Sequence, residues 1–117
     1  MTTVTRSALV MHSAREMYDL VNDCESYPQF LPWCGNATLI ESSETHMVGK
    51  LEISKAGIKH SFTTRNTLEA PHHIHLQLVD GPFKKLEGDW KFEALSEEAC
   101  KVTLTMEFEF AGKLLSM

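Results

Sequence analysis

From Cys100 to Phe110 apolar and polar side chains alternate without a break. Cys100, Val102, Leu104, Met106, Phe108 and Phe110 fall on one side, with Lys101, Thr103, Thr105, Glu107 and Glu109 on the other, the period of two that marks a strand with one buried face. The pattern recurs upstream. Met47, Leu51 and Ile53 alternate with Val48, Lys50, Glu52 and Ser54, and Ala56-Gly57 then supplies a turn, which predicts a hairpin. In the next strand Ile58, His60, Phe62, Thr64, Asn66 and Leu68 share one side, opposite Lys59, Ser61, Thr63, Arg65, Thr67 and Glu69. Ala70-Pro71-His72, Asp80-Gly81-Pro82 and Ser96-Glu97-Glu98 read as turns. Between them Ile74, Leu76, Leu78 and then Leu86, Trp90, Phe92 define further inward faces.

The N-terminal third has a different rhythm. Thr2 to Val10 is rich in Thr and Val and reads as a strand. Ser13-Ala14-Arg15-Glu16 is a capping box, and Ala14, Met17, Tyr18 and Val21 then form one helical stripe that ends near Asn22-Asp23. One more helical turn is predicted at Cys24–Gln29, before the period of two begins after Gly35. The fold class is therefore α+β, a curved antiparallel sheet of about six or seven strands with one wet and one apolar face. That face needs a cover. The Ser13–Asn22 helix is about 15 Å long and about 10 Å wide against a sheet on the order of 25 Å across. A C-terminal helix, a partner chain or a bound apolar molecule must supply the rest. Gly112-Lys113-Leu114-Leu115-Ser116-Met117 turns helical in period and stops, so a C-terminal helix is expected to be largely missing from this chain. The exposed apolar surface left behind predicts a homodimer.

Composition narrows the class. A chain of 117 residues with 43% apolar and 23% charged content fits one globular domain, residues 1–117. A net charge of −5 argues against broad capture of nucleic acid and leaves room only for a local basic patch. No run approaches the roughly 18 apolar residues of a membrane span, and Met1–Arg6 lacks the features of a secretory signal. The expected location is the cytoplasm. Cys24, Cys34 and Cys100 are odd in number and widely spaced, which argues for reduced thiols.

Candidate chemistry is sparse. Tyr27-Pro28-Gln29-Phe30-Leu31-Pro32-Trp33-Cys34 puts three aromatic rings and two prolines into a connector, making it a stiff apolar wall or rim. His60, Thr64 and Asn66 are polar residues on an inward strand face, as hydrogen-bond partners for a ligand or for the backbone. His73 and His75, beside His72, have chelating spacing on a strand, but they alternate against Ile74 and Leu76, should face water, and have no nameable third ligand. No nucleophile with a base, no phosphate-cradling glycine run and no metal set is identified, so no catalytic residue is assigned.

The aromatic-proline rim, together with Asp80-Gly81-Pro82-Phe83-Lys84-Lys85-Leu86-Glu87-Gly88-Asp89-Trp90, resembles the START-like, helix-grip (polyketide cyclase, SRPBCC) superfamily, in its coenzyme-Q-binding branch that includes the RatA ribosome-association toxins. The resemblance implies a non-enzymatic protein with a tunnel between sheet and C-terminal helix. It would need no cofactor and would hold ubiquinone or a similar isoprenoid as ligand, in support of respiratory electron transport and in transient contact with the bacterial inner membrane. Tyr27, Phe30, Leu31, Trp33, His60, Phe62, Thr64, Asn66, Leu76, Leu78, Trp90, Leu104, Met106 and Phe108 are the residues expected to line that tunnel. The RatA side implies, as the alternative, a toxin that binds the large ribosomal subunit and blocks subunit association. Lys59, Arg65, Lys84, Lys85 and Lys91 are then the expected RNA contacts.

Overall fold

The computed structural model describes residues 2–55 and 58–110. The Ala56–Gly57 turn and the helical start at Gly112–Met117 lie outside the described residues. Strands β1 (Thr2–Val10), β2 (Cys34–Ser42), β3 (His46–Lys55), β4 (Ile58–Glu69), β5 (His73–Asp80), β6 (Phe83–Ser96) and β7 (Ala99–Phe110) form one antiparallel sheet in the order β1-β7-β6-β5-β4-β3-β2. Successive strands from β2 to β7 are neighbours, and β1 closes the far edge on β7. The sheet is curved.

Helix α1 (Ala14–Asn22) starts where the capping box requires. The Ser13 hydroxyl accepts from the Glu16 amide at 3.1 Å, and the Glu16 carboxylate accepts from the Ser13 amide at 3.1 Å, satisfying two donors that the first turn would otherwise leave free. A 3-10 helix, Cys24–Gln29, follows at once.

Cross-strand register decides which residues share a face. Leu68, Ile74, Trp90, Leu104 and Arg6 lie in one row across five strands; Asn66, Leu76, Gly88, Met106 and Val4 lie in the next. This inner face receives α1. Tyr18 of the helix meets Phe92 edge to face at 5.7 Å, and Ala14, Tyr18, Cys24, Met47, Leu68, Ile74, Phe92, Cys100 and Val102 form the buried core. The core lies toward the end of the sheet where β1 leads into α1. All three cysteines are free and buried, and burial pushes each thiol above its ordinary value, as expected of inert structural cysteines.

Two glycines allow close approaches here. Gly81, in the β5–β6 turn, has a φ of 152°, and a Cβ on it would stand 2.6 Å from Phe62 Cβ. At Gly88 a Cβ would meet Thr105 O at 2.6 Å, so β6 and β7 pack as they do only because that side chain is absent.

Candidate functional site

The inner face divides into a covered and an open part. Leu76 and Trp90, expected along a ligand tunnel, pack against the buried core, where the register sets Leu76 opposite Asn66 and Trp90 opposite Ile74. Thr64 and Asn66 are buried as well, the Thr64 hydroxyl donating to Asn66 Oδ1 at 3.1 Å. Each thus supplies part of what burial demands of the other. Farther from α1, Phe62, Leu78, Leu104, Met106 and Phe108 are half-buried, as is His60 opposite Ile53. Phe83 and Phe110 join them. Phe83 stands 5.7 Å from Phe62, 6.5 Å from Phe108 and 5.1 Å from Phe110, so four rings cluster at the β7 C-terminal end of the sheet.

The aromatic rim splits likewise. Tyr27 packs on the core, its hydroxyl donates to the Val21 carbonyl, and burial pushes its phenol up. Leu31 is half-buried. Phe30 leans edge to face on Tyr27 at 5.9 Å yet remains 49% exposed, and Trp33 remains 36% exposed. The Trp33 carbonyl accepts from the Ser54 amide at 2.7 Å, which pins the rim to β3. Phe30 and Trp33, expected to line a channel with Tyr27, therefore stand at the surface. Of the three rim aromatics Tyr27 packs inward from the 3-10 helix, on the same core that takes Cys24.

The outer face is divided by charge. On β5 to β7 the register sets Glu87 opposite Glu107, Asp89 opposite Thr105, and Lys85 opposite Glu109. Lys85 Nζ donates to Glu107 at 3.2 Å, and a hollow of about 220 Å³ is lined by Glu87, Gly88, Asp89, Thr105 and Glu107. Lys84 occupies the bulge between the Phe83 and Lys85 registers, and Lys91 pairs with His73 and Thr103. The expected RNA contacts Lys84, Lys85 and Lys91 thus lie on an acidic half-sheet.

Lys59 and Arg65 lie elsewhere, on the outer side of β4. There they are joined by Lys50 of β3, which faces Thr63 and lies diagonal to Arg65. Lys50, Lys59 and Arg65 are all exposed, and among the described residues none of them forms a salt bridge. Ser61, Thr63 and Thr38 lie between or beside them, and the acids on the same surface are Glu52 of β3, Glu41 of β2 opposite Val48, and Asp80 of β5 opposite Thr63. Sequence reasoning passed over Lys50, because alternation within β3 shows its side and not its neighbours.

His73 and His75 are on the outer face, as their alternation with Ile74 and Leu76 requires, and the third group that the sequence could not name is Asp89. Both are half-buried there and converge on Asp89, because β5–β6 register puts Asp89 directly opposite His75 and diagonal to His73. The hydrogen bond to Asp89 holds His75 above the ordinary imidazole value. Burial pulls Asp89 upward, but the hydrogen bonds from His75 and His73 outweigh it and leave the carboxyl below its usual range.

Residues 10–117 match the family described as polyketide cyclase / dehydrase and lipid transport. The chain belongs to this family. Within its START-like members, the chain is 50% identical over all 117 residues, and 74% of the relative's length, to the ribosome association toxin RatA of Escherichia coli (strain K12). It is 26% identical over 96% of its length, and 48% of the relative's, to the mitochondrial coenzyme Q-binding protein COQ10 homolog B of Xenopus laevis. The ZhuI aromatase/cyclase from Streptomyces sp. R1128 superposes with a TM-score of 0.85 over 96% of this chain and 70% of its own, at 20% identity. That likeness shows the START-like helix-grip fold. The two sequence relatives are named for toxicity and for coenzyme Q binding, not for catalysis. No helix among the described residues is long and apolar enough to cross a membrane.

Proposed function

We propose that this chain is a ribosome-associating protein of the RatA type, binding the large subunit through its RNA. The observation that carries the reading is the 50% identity to a ribosome association toxin along the full chain. The geometry supports it with a surface of suitable chemistry. Lys50, Lys59 and Arg65, interleaved with hydroxyl side chains on β3–β4, present cations to phosphates, and flexible lysines and a forked arginine are the usual backbone contacts of RNA-binding surfaces. The acidic β6–β7 half repels phosphate and so fixes which side docks. Ribosome association requires a cytoplasmic location.

A second reading, ubiquinone or another isoprenoid as ligand, rests on the open part of the inner face. There Phe62, Phe83, Phe108 and Phe110 cluster, an apolar lining of the kind that small-molecule sites use. One pair of measurements separates the two. In sucrose gradients the purified protein should travel with large subunits at low salt and dissociate as salt rises. Protein that stays at the top at every salt concentration would remove the first reading. Organic extraction of the same preparations followed by mass spectrometry should release a quinone under the second reading, and repeatedly clean extracts would remove it.

A further inference from the structure

The outer face carries a chain of five side chains that lies outside the contact surface of either reading. Glu69, His73, Asp89, His75 and Glu87 follow one another across β4, β5 and β6. His73 Nε2 and His75 Nδ1 both point at Asp89 Oδ1, at 2.6 and 2.9 Å. The remaining nitrogens point at other carboxylates, His75 Nε2 at Glu87 Oε1 (3.1 Å) and His73 Nδ1 at Glu69 Oε2 (3.4 Å). His73, His75 and Asp89 can each bring a ligand atom within 4.8 Å of the others.

From this geometry we infer that His73, His75 and Asp89 form a site for a divalent transition-metal ion of the zinc type. Two imidazoles and a carboxylate suit the borderline preference of Zn²⁺, whose N and O ligands lie at about 2.0–2.2 Å. The two N–H groups that now converge on Asp89 occupy the place of the ion. On binding, each imidazole ligates through the nitrogen that faces Asp89 and keeps one proton on the nitrogen that faces Glu87 or Glu69, while Asp89 Oδ1, now 2.6 and 2.9 Å from the two nitrogens, moves back by about half an ångström to the roughly 3.3 Å separation of tetrahedral ligands. The outer carboxylates are the second observation. A metal-ligating histidine nearly always gives its other N–H to a carboxylate or carbonyl, and here Glu87 and Glu69 already stand at those nitrogens. A lone surface histidine pair would have no need of them. The hollow bounded by Asp89, Glu87, Thr105 and Glu107 leaves room for water in the fourth position. The bound ion ties β5 to β6.

The test uses chelator-stripped protein and Zn²⁺ or Co²⁺ alone as probes. Titration with Co²⁺ should give one saturable equivalent, with the visible absorption of a low-coordinate site. His73→Gln or Asp89→Asn should weaken binding by at least about 100-fold, Glu87→Gln by about tenfold, and the paired change His12→Gln/His46→Gln should leave it unaltered. In the unmodified protein, Zn²⁺ should move the imidazole NMR signals of His73 and His75 and not those of His12, His46, His60 and His72. This second readout does not depend on any variant folding. Absence of saturable uptake up to about 1 mM, uptake retained by Asp89→Asn, or Zn²⁺-induced shifts confined to the other histidines would overturn the assignment.

Discussion

Phe92→Ala is expected to lower unfolding stability by about 3–5 kcal/mol, the range for removing a fully buried aromatic ring. Phe92 is 1% exposed, lies edge to face with Tyr18 of α1 and stacks on Trp90 at 6.3 Å, opposite Val102 of β7. One ring therefore holds helix and sheet together. Truncation leaves a cavity bounded by strands whose backbone hydrogen bonds resist collapse, which places the cost near the upper end. In a domain with on the order of 5–15 kcal/mol of stability this is a large fraction, and a fall in Tm of roughly 10–20 °C should accompany it. Urea unfolding followed by circular dichroism measures it. Phe30→Ala, at a ring that is 49% exposed, should cost less than about 1 kcal/mol. Equal losses at the two positions would mean that α1 does not seat on the sheet as described.

The second large effect is functional. Reversing Lys50, Lys59 and Arg65 together to Glu should weaken association with ribosomal subunits on the order of 100-fold at ~0.1 M salt. It should also flatten the dependence of log affinity on log salt by about two to three units, since each phosphate contact contributes roughly 0.7–0.9. Reversing Lys84, Lys85 and Lys91 to Glu changes net charge by the same amount. On the acidic half-sheet, where Lys85 already bonds Glu107, that change should reduce binding only a few-fold. Gradient sedimentation across a salt series, with circular dichroism to confirm folding, gives both numbers. Comparable losses from the two triple variants would show that total charge governs binding, and not the β3–β4 surface.

Most of the sheet was legible in the chain because a half-buried strand writes its faces as alternation. β4 and β7 show this well: Leu68, Asn66 and Thr64 face inward as the pattern requires, and Cys100 and Val102 are buried. Helix α1 was legible from Ser13 and Glu16, since a capping box is a local device. What one strand cannot reveal is its neighbour's register. Asp89 completes the His73–His75 cluster from β6, 14 and 16 residues away along the chain, and Lys50 joins Arg65 from the adjacent strand. Parity also fails at bulges. Counting back by twos from Leu86 puts Phe83 on the outer face, but the register shift between Phe83 and Lys85 absorbs Lys84 and turns Phe83 inward to complete the aromatic cluster. The rim was recognisable as rigid and apolar, yet the division of Tyr27 from Phe30 and Trp33 depends on how the 3-10 helix sits on the core.

The most direct test of the central claim, that the outer surface of β3–β4 is the ribosome-binding side of this fold, is a cryo-electron microscopy map of the protein bound to the large subunit. The expected map places Lys50, Lys59 and Arg65 within ion-pair distance of ribosomal RNA phosphates, with the β6–β7 acids turned to solvent. A map with the Phe62–Phe108 side or the Glu87–Glu107 side against the RNA would contradict it, as would subunits that carry no protein density at low salt.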